Sequence, residues 1–161
     1  MDALKHSCRS LELTYTEAIE QQLQQEYLRL KAYPEVLSAL KPMMEHFELG
    51  VLSNANSEML DGAIERNNLQ EVFKYVLSAD DIGLYKPRPE VYQMACDRFQ
   101  LTSEQILFVS SNTWDVSGAK SYGLQVAWLN RFGGTLEELQ FQPDYVLQEL
   151  NQLNSQLRGE L

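Results

Sequence analysis

The sequence predicts an α/β protein built on a parallel sheet. Short apolar runs recur from residue 47 onward, amphipathic segments alternate with these runs, and polar clusters follow them. Strands that alternate with helices form parallel sheets with right-handed crossovers. The loops at the C-terminal ends of such strands form the ligand site. We therefore expect the functional residues in the polar clusters.

Length and composition indicate one acidic globular domain. The chain has 161 residues, 44% of them hydrophobic, and a formal net charge of −10, which disfavours nucleic-acid binding. Cys8 and Cys96 lack the spacing of a disulfide framework or a zinc site, so we expect reduced thiols and a cytoplasmic location. The sequence shows no secretory h-region and no apolar stretch of the ~18 residues that a membrane span requires, so no membrane association is expected.

Residues 2–32 predict one or two amphipathic helices, because apolar side chains recur at helical spacing opposite a Gln- and Glu-rich face. The apolar positions include Ala18, Ile19, Leu23, Tyr27 and Leu30. Pro34 suits the first turn of the next helix, and Pro42 is expected to kink or end it. The buried stripe of that helix is predicted to contain Val36, Leu37, Leu40, Met43 and Met44.

Beyond residue 47, predicted strands alternate with predicted helices. The strands are the apolar runs at 47–54, 75–79, 106–111, 125–130 and 144–147. Helices are predicted from Ser57, over 89–99 and over 115–122, with another at the end of the chain. No strand is predicted before residue 47.

The first polar cluster contains Ser53 and Asn54, which end the first strand. A hydroxyl, a carboxamide and nearby helix N-terminal amides suit an anion. The same residue types equally suit helix capping, and the residues alone leave both interpretations open.

The second cluster surrounds Lys86, which follows the second strand. Pro87 and Pro89 restrict the backbone beside it, and a helix is able to begin at Pro89. This arrangement makes Lys86 a candidate functional residue, although an isolated lysine is usually a solvated surface charge. Arg88, on the same loop, is expected to lie at the surface.

The third cluster follows the strongly apolar run ILFV and contains Ser110, Asn112, Trp114 and Asp115. Asp115 opens the next helix, where the positive end of the helix dipole favours a carboxylate. A capped helix without chemistry is the alternative. Gly118 is small enough to let that helix lie close against the sheet.

Together, the three clusters resemble the haloacid dehalogenase superfamily and, within it, the (S)-2-haloacid dehalogenases. The resemblance is carried by LSNANSEML, LSADDIGLYKPRPEVYQMA, ILFVSSNTWDVSGAKSYGLQVAWLNR and PDYVL, and it covers nearly the entire chain. It implies a Rossmann-like core over 33–161 that lacks its first, central strand. Residues 1–32 would be the remnant of a helical cap.

The resemblance also implies a reaction. An aspartate displaces halide from C2 of a small 2-haloalkanoate, and water then hydrolyses the ester with inversion at C2. Lys86 would pair with the nucleophile carboxylate and with Asp115, because a buried carboxylate stays ionised beside a cation. Ser110 would help orient the nucleophile, and Asn112 together with Asp115 would position the water.

The substrate contacts implied by the resemblance come from the loops that follow the strands. Ser53 would hold the substrate carboxylate. Asn54 and Trp114 would line the halide side, and Tyr92 would support the site by hydrogen bonding. This pocket would attract an anionic substrate to a protein whose overall charge repels it.

Metal-dependent phosphatases of the superfamily carry an acidic residue at the position of Ser111 as well as at that of Asp115, because Mg²⁺ prefers carboxylate ligands. This chain has an acid at Asp115 and a hydroxyl at Ser111. We therefore expect no metal and no other cofactor, and a phosphatase remains a disfavoured alternative.

One departure from the family is serious. The nucleophile normally lies in an Asp-x-Tyr-Gly-Thr-like segment after the first strand, with a halide-assisting arginine shortly beyond, and this sequence contains neither segment. Asp2 has no strand before it and is not a candidate. The strands ending at Ser53 and Ser110 would then face a gap one strand wide. We expect a truncated chain without dehalogenase turnover of its own.

Other outcomes stay open. The two strand edges close on each other, or another chain donates the missing strand. A non-catalytic module that binds small carboxylates around Ser53, Lys86 and Asn112 is an alternative from a different class. A homodimer through exposed sheet edges or cap helices is a further possibility, since unpaired edges are templates for another chain.

Overall fold

The structure of the protein, a computed structural model, describes residues 2–157 and confirms the α/β prediction. The helices in this range are α1 (Asp2–Ser10), α2 (Glu17–Tyr27), α3 (Val36–Met43), α4 (Ser57–Arg66), α5 (Pro89–Phe99), α6 (Thr113–Tyr122) and α7 (Asn151–Leu157). The strands are β1 (Gly50–Ser53), β2 (Tyr75–Ser78), β3 (Leu107–Ser110), β4 (Gln125–Leu129) and β5 (Tyr145–Leu147). None of the helices within the described range is long and apolar enough to cross a membrane.

The strands form two separate parallel sheets. One sheet pairs β1 with β2, and the other has the order β3-β4-β5. Across residues 2–157, no backbone ladder joins β1 to β3, so the edges on the two sides of the predicted gap do not close on each other. We call this boundary between β1 and β3 the seam.

Burial along the strands distinguishes the seam from the covered part of the sheet. Val126 and Ala127 of β4 have 0% of their surface exposed, as expected for a strand covered by helices on both faces. The apolar residues of β1 and the interior of β3 are only half-buried: Val51, Leu52, Leu107, Phe108 and Val109. The core therefore centres on β4, and the two strands at the seam are less covered than the interior of a doubly wound sheet normally is.

The amphipathic helices predicted for residues 2–32 are present as α1 and α2. Thr16 caps α2, because its Oγ1 accepts a hydrogen bond from Ile19 N at 3.2 Å. An amphipathic helix normally buries its apolar stripe. Here Leu23 is 40% exposed and Tyr27 is 60% exposed, whereas Glu20 is buried. The helical period was predictable from the sequence, but the face that is buried was not.

Helix α3 differs from its prediction in two details. Pro34 precedes the capping residue Glu35 and so lies outside the first turn, while Pro42 lies one residue before the end of the helix. Met44 is 41% exposed and does not belong to the buried stripe. The buried positions of α3 are Ala39 and Met43, which join a core cluster with α7 and the strands of the larger sheet.

Asp144 fixes the start of β5 against β4. Its carboxylate accepts hydrogen bonds from Lys120 Nζ at 2.6 and 2.7 Å and from Val126 N at 2.7 Å. Burial acts to raise the pKa of Asp144, but the Lys120 ion pair and the Val126 N–H outweigh it, so the pKa lies below its ordinary value. The ionised form of Asp144 is therefore the one that stabilises the fold.

We expect Asp144→Asn to make the stability of the protein less dependent on pH in the acidic range. A carboxyl whose folded pKa is lowered contributes stability above its unfolded pKa of about 3.9, and this contribution disappears as pH falls through the folded pKa. Urea midpoints measured from roughly pH 6 to pH 3 should fall less steeply for this variant than for the unaltered chain. Asp61→Asn, at an exposed position of α4, should keep the original slope. Equal slopes for all three proteins would contradict the assignment.

Candidate active site

Asp115 is the centre of a buried hydrogen-bond network. It lies in the first turn of α6, and its side chain is 2% exposed. Oδ2 accepts from Lys86 Nζ at 2.7 Å and from Ser110 Oγ at 3.0 Å, and Oδ1 accepts from Tyr92 OH at 2.8 Å. A buried carboxylate needs such donors, because leaving water without compensation costs several kcal/mol. The network brings together four predicted site residues from separate parts of the chain.

Lys86 spans the seam between the two sheets. Its ammonium group donates to Leu52 O at 3.1 Å, forms the ion pair with Asp115, and lies 5.1 Å from the centre of the Phe108 ring. Leu49 O accepts a hydrogen bond from Lys74 N and therefore points towards β2. Successive carbonyl groups along a strand point in opposite directions. Leu52 O, three residues later, therefore points away from β2. Lys86 therefore occupies the free edge of β1 at its C-terminal end.

Tyr92 supplies a permanently protonated donor to this network. Its side chain lies on α5 and is fully buried. This burial is the main cause that raises the pKa of the phenol well above its ordinary value, and the negative charge of the nearby Asp115 raises the pKa further. The phenol therefore remains a hydrogen-bond donor to Asp115 throughout the usual range of pH. Tyr92 also packs edge-on against Phe108, with ring centroids 5.7 Å apart.

Gly118 allows the elements of the network to approach each other. A Cβ at this position of α6 would lie 2.6 Å from Pro87 Cβ and 2.6 Å from the hydroxyl of Tyr92. The packing role expected of Gly118 is thus directed at the loop and tyrosine that carry the site, rather than at the sheet alone. A larger residue therefore requires a shift of α6 itself, of Pro87 or of Tyr92.

Ser53 is the last residue of β1, and Asn54 begins the loop that follows it. Asn54 Oδ1 accepts from Lys86 N at 2.8 Å, and its Nδ2 donates to Lys86 O at 3.3 Å. Ser53 Oγ accepts from Ala55 N at 3.1 Å, while Asn56 caps α4 by accepting from Met59 N. The capping interpretation therefore applies to Asn56, and the carboxamide of Asn54 faces the backbone of Lys86.

Asn112 and Trp114 are exposed at the beginning of α6. Asn112 joins the network through its backbone N–H, which donates to Ser110 Oγ at 3.2 Å, and it forms the N-terminal boundary of the helix. Trp114 is 41% exposed. Both side chains are thus accessible to a small molecule at the C-terminal edge of β3. Arg88 lies at the surface, where it pairs with Glu90.

Sequence reasoning missed three contributors to this site. Ser78 is 1% exposed and donates to Ala55 O at 2.8 Å, Leu52 contributes its carbonyl, and Phe108 contributes its ring. A signal for Ser78 was available, because β1, β2 and β3 all end in serine. The carbonyl and the ring have no comparable signal, since they belong to ordinary apolar strand residues.

The donor set at the site does not form a carboxylate cluster. Among residues 2–157, no group of three or more His, Cys, Asp or Glu side chains is placed to hold a metal ion. Asp115 is also the one carboxylate in this range that forms an ion pair with Lys86. An ammonium group has three N–H donors. Two of those in Lys86 bind Leu52 O and Asp115.

Comparison with known proteins matches this chain to one family. The family described as haloacid dehalogenase-like hydrolase matches residues 3–129. The chain is 39% identical to haloacetate dehalogenase H-2 of Moraxella sp. (strain B), over 91% of this chain and 66% of that protein. It is 37% identical to (S)-2-haloacid dehalogenase 2 of Pseudomonas sp. (strain CBS-3), over 94% of this chain and 67% of that protein. The chain thus spans about two thirds of the length of these relatives.

Solved structures show the same similarity. The crystal structure of the L-2-haloacid dehalogenase RSc1362 superimposes with a TM-score of 0.91 at 37% identity and covers 98% of this chain and 70% of that chain. The L-2-haloacid dehalogenase of Xanthobacter autotrophicus with chloropropionic acid covalently bound superimposes with a TM-score of 0.86 at 29% identity, over 99% of this chain and 74% of that chain. The described fold is therefore similar to a large part of these enzymes.

Proposed function

This chain belongs to the haloacid dehalogenase-like hydrolases, and from that membership we propose that it carries the lysine and aspartate half of a site that hydrolyses (S)-2-haloalkanoates. The observation that supports the proposal most strongly is the buried ammonium group of Lys86, which is bound to Leu52 O and Asp115 at the seam. The names of the curated relatives, which are haloacetate and (S)-2-haloacid dehalogenases, support the substrate class.

The proposed reaction has two steps. A carboxylate oxygen of an aspartate outside the described residues attacks C2 of the substrate, the carbon–halogen bond breaks, and halide leaves with the bonding electrons. Water then attacks the ester carbonyl, which releases the 2-hydroxy acid, regenerates the aspartate and yields one proton. Lys86 provides the cation that keeps the nucleophile ionised in a buried site.

The remaining roles follow the residues around the seam. Ser110 helps orient the nucleophile, and Asn112 with Asp115 positions the hydrolytic water. Ser53 binds the substrate carboxylate near the N-terminal amides of α4, where an anion is favoured. Trp114, exposed at the edge of β3, lines the halide side of the pocket.

Chloride release from (S)-2-chloropropionate tests this proposal. We expect none from the 161 residues alone, because a covalent route without its nucleophile has no first step. Fusion to a segment that supplies an apolar strand and the Asp-x-Tyr-Gly-Thr motif should produce turnover. The same fusion with Asn in place of that Asp is the control and should produce none. Turnover by the unfused chain at ordinary enzyme rates, on the order of 1 s⁻¹ or more, would contradict the proposal.

Calorimetric titration distinguishes the alternative of a binding module. Lactate resembles the 2-hydroxy acid product and carries the carboxylate that Ser53 is proposed to bind. If the fusion with the intact Asp binds lactate saturably but releases no chloride, the chain is a carboxylate-binding protein and the enzymatic proposal is wrong.

A phosphatase assay tests the second alternative. The protein should not hydrolyse p-nitrophenyl phosphate in the presence of Mg²⁺, because Ser111 offers a hydroxyl where metal-dependent phosphatases carry an acidic metal ligand.

A further inference from the structure

We propose that Asn54 is a positioning residue for Lys86: its carboxamide holds the backbone of the lysine and thereby places the ammonium group against Asp115. The inference rests on the proposed function in that it assigns importance to the placement of Lys86. It differs from the halide-lining role that the family resemblance implied for Asn54. It concerns how the cation is held rather than which anion it binds.

The contact between Asn54 and Lys86 is complementary at both ends. The carboxamide offers one acceptor and one donor side by side, and it meets the N–H and the C=O of the same residue at 2.8 and 3.3 Å. Asn54 therefore bonds Lys86 as a neighbouring strand would. Because the two residues are 32 positions apart, this contact fixes the Lys86 loop to the end of β1 rather than stabilising a local turn.

The loop that carries Asn54 is itself immobilised. Ser78, which is 1% exposed at the end of β2, donates to Ala55 O at 2.8 Å and accepts from Asp80 N at 3.2 Å. The hydroxyl of Ser53 accepts from Ala55 N. The residue that follows Asn54, Ala55, is thus bonded through both its C=O and its N–H, and this fixes the loop from which the Asn54 carboxamide reaches Lys86.

The anchors of Lys86 therefore come from the end of β1. Asn54 holds its backbone, Leu52 O holds its ammonium group, and the ammonium group crosses the seam to Asp115. A lysine side chain has four rotatable bonds, and fixing its origin reduces the entropy that must be lost when the ammonium reaches its partner. Removing the Asn54 side chain should free the Lys86 backbone. It should thereby weaken the hydrogen bond between the Lys86 ammonium group and Asp115 without removing either charged group.

The ammonium group can be observed directly by NMR spectroscopy. A lysine ammonium that is hydrogen-bonded and shielded exchanges its protons slowly enough at mildly acidic pH and low temperature to give a ¹⁵Nζ–¹Hζ signal. The unaltered 161-residue chain should show one strongly protected signal, and its loss in Lys86→Met assigns it. In Asn54→Ala, proton exchange of this signal should accelerate by roughly tenfold, as expected from the loss of two hydrogen bonds.

Asn56→Ala is the matched control. Asn56 lies two residues away on the same loop, and its side chain accepts from Met59 N instead of contacting Lys86. This variant removes a helix cap but should leave the Lys86 signal protected. The proposal is overturned if Asn54→Ala retains full protection, or if both alanine variants lose protection equally, which would indicate general loosening of the loop.

Circular dichroism shows whether Asn54→Ala folds. If it does not fold, a third variant tests the proposal instead. Asn54→Asp retains the acceptor for Lys86 N and loses the donor for Lys86 O, so it should accelerate exchange by less than the alanine variant. Unchanged protection in Asn54→Asp would then overturn the proposal. None of these measurements requires turnover, so an absence of chloride release from the fusion that carries the intact Asp would contradict the proposed function without affecting the role of Asn54.

Discussion

Asp115→Asn is expected to lower the free energy of unfolding by about 3–5 kcal/mol, the cost of leaving a buried cation without its counter-charge. The Lys86 side chain is 9% exposed, so solvent offers little compensation once the carboxylate is lost. An asparagine is able to keep some of the hydrogen bonds from Ser110 and Tyr92, so the effect reports mainly the missing charge. Urea unfolding followed by circular dichroism measures it.

A double-mutant cycle separates the ion pair from ordinary packing at the same place. Lys86→Met retains most of the apolar length of the lysine, and in combination with Asp115→Asn it removes both charges. We expect the double variant to be more stable than Asp115→Asn alone, because no unpaired charge remains. Additive losses in the cycle would show that the two side chains contribute independently and that Lys86 is not held by Asp115.

Gly118→Ala is expected to destabilise the protein by about 1–3 kcal/mol, although alanine is the better helix former. The new methyl group would lie 2.6 Å from Pro87 Cβ and from Tyr92 OH and 3.4 Å from Pro87 Cα. These atoms belong to a ring fused to the backbone and to a fully buried phenol, so neither is able to rotate away. Relief requires movement of α6 or of the loop that carries Lys86.

Gly62→Ala provides the matched control for that variant. Gly62 also lies inside a helix, α4, but a Cβ there would have no atom within 4 Å. Substitution should stabilise the protein by about 0.5–1 kcal/mol through helix propensity alone. Thermal or urea unfolding should therefore show shifts of opposite sign for the two glycines. Shifts of the same sign would mean that the close approach at Gly118 has no energetic consequence.

Local patterns predicted the elements with unequal accuracy. Helix α5 occupies the predicted residues, because Pro89 marks its first turn and the Pro-rich loop before it excludes an earlier start. The strand prediction at 47–54 was too long, since β1 is Gly50–Ser53. An apolar run continues past the residues that pair with a neighbour, and pairing depends on β2 rather than on the run itself.

The contacts of Asn54 show why the candidate site could be predicted only in part. Its place after a strand was evident from the sequence, and the family resemblance supplied a role beside the halide. The partner of its carboxamide was beyond such reasoning, because Lys86 N and O lie 32 residues away and backbone groups carry no sequence signature. The same holds for Leu52 O, whose direction depends on the pairing of β1 with β2.

The sequence by itself determined the alternation of strands and helices, the polar residues at the strand ends and the family to which they belong. The alternation and the placement of the polar residues follow from periodicity, turn chemistry and residue type, which act over short stretches of chain, whereas the family follows from the resemblance of the motifs to known sequences. The tertiary structure alone decided that, within residues 2–157, β1 and β3 do not pair with each other, that Lys86 crosses the seam, and that the apolar stripe of α2 lies exposed. Pairing and burial depend on which distant surfaces meet, and no local pattern contains that information.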